Sequence, residues 1–132
     1  AKVASGGELS RIGLAIFTLT SRNTSVPTLI FDEVDSGVGG ATGEVVGRMM
    51  KQLGQTRQVL CVTHLPQVAA CGDHHLKVEK VSDGIETVSY LRELNPTQRV
   101  EEIARMLGGL LITQKTKVLA EEMVKANLSQ EK

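Results

Sequence analysis

Two short apolar runs, joined by a segment with helical periodicity, constrain the fold of this chain most strongly. The runs cover residues 28–31 and 58–63, and each has the length and the lack of charge typical of a strand buried on both faces. The segment between them places apolar side chains on one face of a helix: Val45, Val46, Met49, Met50 and Leu53. Gly54 can end that helix. A strand, a helix and a second strand form a βαβ unit, so the two strands are expected to run parallel.

A second pair of strands is predicted after this unit. Residues 76–81 and 85–91 have strand character, and they flank Ser82-Asp83-Gly84. Asp-Gly between two such segments favours a β-hairpin. We therefore expect an exposed antiparallel pair at the far edge of the sheet, beginning at about His74 and His75.

Helices account for the rest of the chain. Asn95, Pro96 and Gln98 have the spacing of a capping box with proline at the first helical position. Further helices are predicted over residues 8–19 and from about 113 to 128. With 132 residues and no internal repeat, the sequence predicts one α/β domain with a partly parallel sheet and flanking helices.

Composition limits the classes of partner. The 15 basic and 15 acidic residues cancel, so we do not expect this segment to supply most of the contacts to a nucleic acid. No apolar run approaches the length of a membrane span, and no signal peptide opens the sequence. Cys61 and Cys71 are the only cysteines, which favours reduced thiols in the cytoplasm over a disulfide framework.

The first candidate site is Ser5-Gly6-Gly7-Glu8, which directly precedes the first predicted helix. Ser5 and Glu8 could form a capping box, and that structural interpretation explains both of them. It does not explain two glycines in a first turn, each of which costs up to about 1 kcal/mol relative to Ala. Bare N–H groups at a helix N-terminus, together with the Ser5 hydroxyl, could instead bind a phosphate.

The second candidate site lies where the two parallel strands end. Asp32 and Glu33 follow the first strand, and Thr63 and His64 end the second. Parallel strands end at the same edge of a sheet, so His64 is expected beside the two carboxylates. Asp32 could hold Mg²⁺, Glu33 could deprotonate an attacking water, and His64 could hydrogen-bond a phosphate. Taken singly, the acidic pair could equally be a solvated loop entrance and His64 a structural residue.

The order of these motifs resembles that of the ABC ATPases: signature motif, Walker B, D-loop and switch histidine. Residues 4–11 look like the signature of the SMC-like branch, because transporters usually carry Gln in place of Glu8. Residues 32–40 and 63–69 are similar to those of the RecN family of DNA repair proteins. The resemblance covers nearly the whole chain and is densest before Ala70.

The resemblance implies a role for each matching residue. Ser5, Gly6 and Gly7, within a signature that includes Glu8, would bind the γ-phosphate of an ATP held by the opposite protomer. Asp32 would serve Mg²⁺, Glu33 would be the catalytic base, and His64 would sense the γ-phosphate. The loop around Asp35 and Ser36 would communicate across the dimer. Most of the superfamily carries an Asp near the position of Gly39, which puts hydrogen bonding across the dimer at that spot in doubt.

A phosphate-binding loop is missing from the sequence. Such a loop needs Gly-x-x-x-x-Gly-Lys-Ser/Thr after a strand, and the nearest approach, residues 109–116, has Gln114 in place of the second glycine and follows a predicted helix. Four potential zinc ligands also occur, but their spacing fits no common zinc finger: His64, Cys71, His74 and His75.

The resemblance then implies that residues 1–132 form the carboxy-terminal half of an ABC/SMC-like P-loop ATPase head. The P-loop lobe and the coiled coil would lie elsewhere in a cytoplasmic DNA double-strand-break repair and recombination protein. Its cofactors would be ATP and Mg²⁺, and its partners its own amino-terminal half, a second head and DNA. By itself the chain is expected to be inactive and to expose an apolar sheet face. Two alternatives are an ABC transporter subunit and a non-catalytic interaction domain.

Overall fold

The computed structural model describes residues 13, 15, 26–32 and 35–128. Gly13 and Ala15 are helical, and the remainder of the helix predicted over residues 8–19 lies outside the described residues. From residue 26 onward the elements follow in this order: β1 (Thr28–Asp32), α1 (Gly40–Gly54), β2 (Gln58–Val62), α2 (Pro66–Ala69), β3 (Leu76–Ser82), β4 (Thr87–Glu93), α3 (Pro96–Gly108) and α4 (Gln114–Leu128). None of the described helices has the length and apolar character needed to cross a membrane.

The predicted βαβ unit is present. Strands β1 and β2 pair in parallel, in a register that runs from Thr28 opposite Gln58 to Asp32 opposite Val62. Helix α1 joins them and ends at Gly54, as predicted. Because the register has no offset, both strands finish at the same edge of the sheet.

Helix α1 covers one face of this sheet. Its buried residues Val46, Met50 and Leu53 form a core with Val68 of α2 and with the inward side chains of the strands, which are Leu29, Phe31, Val59 and Cys61. The other face is exposed: Ile30 is 71% accessible and Val62 is 62% accessible. The prediction that both strands are buried on both faces is therefore wrong for the described part, because only one face has a helix packed on it. The expected exposed apolar sheet face is confirmed.

Helices α3 and α4 form a second core with the end of α2. Ile103, Ala104 and Ala120 are fully buried there, and Val124 is 8% exposed. The predicted capping box starts α3: the Gln98 N–H donates to Asn95 Oδ1 at 2.8 Å, and the Asn95 N–H donates to Gln98 Oε1 at 3.0 Å. Gly109, with φ of +63°, ends the helix in a conformation that side-chain-bearing residues rarely adopt.

Buried Arg99 joins the two cores, a role that the sequence did not suggest. Its Nη2 donates to the carbonyl oxygens of Ala69 and Ala70, both at 3.2 Å, and to that of Gly72. These carbonyls end α2 and the turn after it, where a helix leaves acceptors without intrahelical donors. The guanidinium therefore fixes the start of α3 against the end of α2.

The antiparallel pairing of β3 with β4 is confirmed, but the turn lies one residue later than predicted. The Asp83 carboxylate accepts from the N–H groups of Ile85 at 2.9 Å and Glu86 at 2.8 Å, and the same hydrogen bonds hold the pKa of this carboxyl below its usual range. Asp83 therefore caps the turn from its first position, Gly84 and Ile85 are the central pair, and β4 begins at Thr87. Gly84 supplies the positive φ, +89°.

The hairpin also lies elsewhere than expected. In the described part of the chain, β3 and β4 form a two-stranded sheet separate from β1 and β2. Helix α2 carries the chain away from β2, and the hairpin is held instead to α3, where Lys77 Nζ lies 2.9 Å from a Glu102 carboxylate oxygen. The strand begins at Leu76, so His74 and His75 precede it rather than begin it.

Gly47 lets α1 approach α2 closely, and its replacement by Ala is expected to destabilise the chain. A Cβ at this position would lie 2.7 Å from Cys71 Sγ and 3.2 Å from the backbone Cα of Val68. Inside a helix, Gly→Ala normally stabilises by roughly 0.5–1 kcal/mol. Here overpacking should dominate, with a net loss of about 1–3 kcal/mol in the free energy of unfolding, measured by urea denaturation.

Gly54→Ala is the matched control, since it is the same change in the same helix and its Cβ would meet nothing nearer than 4.0 Å. We expect that variant to be as stable as the parent chain or slightly more so. A stabilising Gly47→Ala would contradict the close packing of α1 on α2.

Candidate functional site

The candidate site is the sheet edge at which β1 and β2 end. Asp32 is the last residue of β1 and is exposed, and its partner in the register is Val62, the last residue of β2. Thr63 and His64 follow directly, so the sheet brings Asp32 and His64 to the same edge, as predicted. Glu33, the expected catalytic base, lies outside the described residues. So does the whole candidate phosphate site: Ser5, Gly6, Gly7 and Glu8.

A buried carboxylate ties the loop after β1 to the loop after β2. Asp35 is 1% exposed. Its Oδ2 accepts a hydrogen bond from the backbone N–H of His64 at 3.2 Å and another from the Thr63 hydroxyl. The Thr63 oxygen in turn accepts from the N–H of Leu65 at 3.0 Å. One carboxylate oxygen thus anchors three consecutive residues after β2.

The imidazole of His64 points outward from this anchor. Its side chain is 73% exposed, and its Nδ1 lies 3.6 Å from Asp35 Oδ2. The ring therefore has one nitrogen facing a buried carboxylate, while Nε2 lies on the opposite side of the ring. A histidine in this arrangement can exchange a hydrogen bond or a proton with a ligand at the sheet edge.

The turn that follows Asp35 leads into α1. The N–H of Val38 donates to the Asp35 carbonyl at 3.2 Å, and Gly37 has a φ of +70°. Ser36 is exposed in this turn. Gly39 is the N-cap residue of α1 and provides no side-chain cap, so the first turn of α1 has no side-chain acceptor from its N-cap residue.

The charges at this edge also affect Cys61, the penultimate residue of β2. Burial, followed by the nearby charges of Asp35 and Asp32, raises the pKa of its thiol to about 11. Cys61 is therefore a neutral thiol at ordinary pH. Both cysteines are free.

The donor chemistry of the edge suits a Mg²⁺ ion that accompanies a phosphate. Asp32 offers an exposed carboxylate, a hard oxygen ligand of the kind that Mg²⁺ prefers. Nowhere in the described ranges do three or more His, Cys, Asp or Glu side chains group into a metal site of their own. Mg²⁺ commonly takes one or two carboxylates from the protein and completes its octahedron with water and substrate phosphates, so Asp32 by itself could serve as a protein ligand.

Sequence reasoning missed the way in which Asp35 and Thr63 act together. The resemblance places Asp35 in a loop expected to communicate across a dimer, and in the structure its side chain reaches inward to the end of β2. The two residues are separated by 28 positions. A polar residue after each of two parallel strands was the available signal, but no spacing rule predicts that their side chains bond to each other.

Comparison with known proteins identifies relatives in sequence and a solved structure with a similar fold. No family model matches the sequence. The chain is 52% identical over 124 residues to the DNA repair protein RecN of Vibrio cholerae, a match that covers 94% of this chain and 22% of that protein. It is also 52% identical to RecN of Haemophilus influenzae over the same length and 53% identical to RecN of Deinococcus radiodurans over 107 residues. The chain thus spans about a fifth of the length of the relatives that it matches.

A solved structure from work on "ATP-driven dimerization and DNA stimulated activation of SMC ATPases" shares the fold. It superposes with a TM-score of 0.63 at 21% sequence identity, over 82% of this chain and 65% of the other. The predicted α/β class, with a parallel strand pair, flanking helices and a hairpin, is confirmed by this likeness. The chain is therefore similar, along 94% of its length, to a segment of the DNA repair protein RecN, and its fold is similar to that of this solved structure.

Proposed function

We propose that this chain is the part of a RecN-like DNA double-strand-break repair ATPase that supplies the signature motif and the catalytic carboxylates. The observation that carries the proposal is the parallel register that brings Asp32 and His64 to one sheet edge. The 52% identity to RecN along 94% of the chain supports the same assignment, and the transporter alternative has no comparable support.

In this proposal, residues 1–132 form the carboxy-terminal lobe of an ATPase head, and the P-loop lobe and the coiled coil belong to other parts of the protein. The partners are then the amino-terminal half of the same head, a second head and DNA, in the bacterial cytoplasm. Ser5, Gly6, Gly7 and Glu8 would face a nucleotide bound by the second head, and Ser36 would lie at the contact between the heads.

The chemistry would be transfer of the γ-phosphoryl group of ATP to water, in which positioning and electrostatic stabilisation supply most of the catalysis. Asp32 would hold Mg²⁺, which when bound neutralises charge on the phosphates. Glu33 would orient the attacking water and take its proton. His64 would bind the γ-phosphate from the neighbouring strand.

The test is Mg²⁺-dependent ATP hydrolysis by a protein of RecN length that contains this chain, here called the RecN-length protein. We expect steady-state turnover from that protein and none from the 132-residue chain alone, because the phosphate-binding loop is missing from its sequence. A RecN-length protein that neither binds nor hydrolyses ATP would favour the non-catalytic interaction domain instead.

A further inference from the structure

We infer that Asp35 is a positioning residue for His64: its buried carboxylate fixes the backbone of the histidine and keeps the ring proton on Nδ1. The consequence for phosphate chemistry rests on the proposed function. The placement of the ring rests on contacts within the chain, so it can be tested separately.

The carboxylate of Asp35 is buried, although it lies at the edge of the sheet. Asp35 is 1% exposed, whereas Asp32, at the same edge, is exposed to solvent. A carboxylate removed from water needs hydrogen-bond donors in place of the solvent that it has lost. Asp35 accepts from two donors in the segment after β2, the Thr63 hydroxyl and the His64 N–H. The position of that segment is therefore coupled to the position of Asp35.

The orientation of Thr63 is fixed by its hydrogen bonds. A hydroxyl has one proton, and the Thr63 oxygen already accepts from the N–H of Leu65 at 3.0 Å. Its proton is directed to Asp35 Oδ2. Two hydrogen bonds therefore run in series, from the Leu65 N–H to the Thr63 oxygen and from the Thr63 hydroxyl to Asp35, and each has only one possible donor. Together they hold the backbone on both sides of His64.

The carboxylate of Asp35 also decides which ring nitrogen of His64 carries the proton. A neutral histidine carries its proton on either Nδ1 or Nε2, and the group that faces each nitrogen decides between them. Nδ1 lies 3.6 Å from Asp35 Oδ2. At that separation a carboxylate oxygen favours the proton on Nδ1 by electrostatic attraction, although the distance is longer than a hydrogen bond. Nε2 is then the atom that meets a ligand at the sheet edge, as an acceptor in the neutral ring and as a donor in the charged ring.

The arrangement distinguishes Asp35 from the residues that would touch nucleotide. With its side chain buried and its oxygen committed to Thr63 and His64, Asp35 acts through His64 and not on a phosphate.

The experiment is long-range ¹H–¹⁵N correlation spectroscopy on the 132-residue chain with ¹⁵N-labelled histidine, at about pH 9, well above the ordinary histidine pKa of about 6.5. The three histidines are His64, His74 and His75, and a His64→Gln variant assigns the first. We expect His64 to be mainly in the Nδ1–H form. In Asp35→Asn, which keeps the shape and removes the charge, we expect a shift toward the Nε2–H form.

Asp73→Asn is the matched control. Asp73 is a half-exposed aspartate whose carboxylate lies 3.3 Å from Lys51 Nζ. The same charge removal there should leave the His64 spectrum unchanged. If Asp35→Asn fails to fold, two variants of Thr63 provide the test instead. Thr63→Val removes the hydroxyl that donates to Asp35 and should shift the His64 signals. Thr63→Ser keeps the hydroxyl and should leave those signals as in the parent.

A parent chain in which His64 is mainly in the Nε2–H form overturns the inference without any variant. So does a His64 spectrum that is the same in the parent and in Asp35→Asn. Neither result bears on whether the RecN-length protein hydrolyses ATP. If that protein were inactive, the contact with Asp35 would still set the tautomer of His64. Failure of the inference and failure of the proposed function are therefore distinguishable.

Discussion

Replacing Glu33 with Gln in the RecN-length protein is expected to lower steady-state ATP turnover by about 100- to 10 000-fold, the range typical for loss of a general base. Gln has nearly the shape of Glu but cannot take a proton from the attacking water. ATP binding should persist, because the contacts to phosphate and Mg²⁺ would come from other residues. Phosphate release measures the turnover, and titration with a fluorescent ATP analogue measures the binding.

Glu44→Gln is the matched control for this change. Glu44 is an exposed residue of α1 whose partner is Arg48, one turn along the same helix. Exposed pairs of this kind contribute little to stability, so turnover should stay within about twofold of the parent. Equal losses in the two variants would indicate a general effect of charge and would argue against a catalytic role for Glu33.

Truncation of Ile103 to Ala is expected to have the largest effect on stability, about 2–5 kcal/mol in the free energy of unfolding. Ile103 is 0% exposed and packs among Ala104, Ala120 and Val124, between α3 and α4. Its fully buried neighbours Ala104 and Ala120 are too short to fill the space, and Leu107 and Met123 at the edge of the cluster can fill it only in part, so a cavity should remain. The measurement is urea denaturation of the 132-residue chain, followed by circular dichroism.

Ile85→Ala removes the same atoms from a site that is 92% exposed, at the tip of the hairpin. That variant should change the free energy of unfolding by less than about 0.5 kcal/mol. Since a small domain is stable by only about 5–15 kcal/mol, the Ile103 variant should have a much lower urea midpoint than this control. Similar midpoints would mean that the α3–α4 core does not stabilise the chain.

The sequence was most informative where local chemistry decides the structure. The capping box at Asn95 depends on groups within a few residues of each other, and it is confirmed. Helix α1 also ends at Gly54 as predicted, although Gly54 lacks the positive φ of a glycine cap. The parallel pairing of β1 with β2 followed from an apolar run, a helical period and a second run, and the structure adds its register. The shared edge of Asp32 and His64 is a direct geometric result of that register.

It was less informative where distant groups compete. The Asp-Gly pair suggested a turn centred on Asp83 and Gly84, but the Asp83 carboxylate binds two N–H groups ahead of it and moves the turn forward by one residue. Burial on both faces was inferred from apolar runs alone, whereas burial depends on which other elements pack against the sheet. The inward bond of Asp35 to Thr63 joins residues far apart in the sequence, and only the folded chain reveals it.

The central claim is that this chain holds part of an ATPase site and depends on the rest of the protein for the phosphate-binding loop. Steady-state phosphate release, measured side by side for the RecN-length protein, the 132-residue chain and the Glu33→Gln variant of each, tests it most directly. We predict turnover from the RecN-length parent alone. Clear turnover by the 132-residue chain that is abolished by Glu33→Gln would contradict the account, because the chain would then hold a complete site.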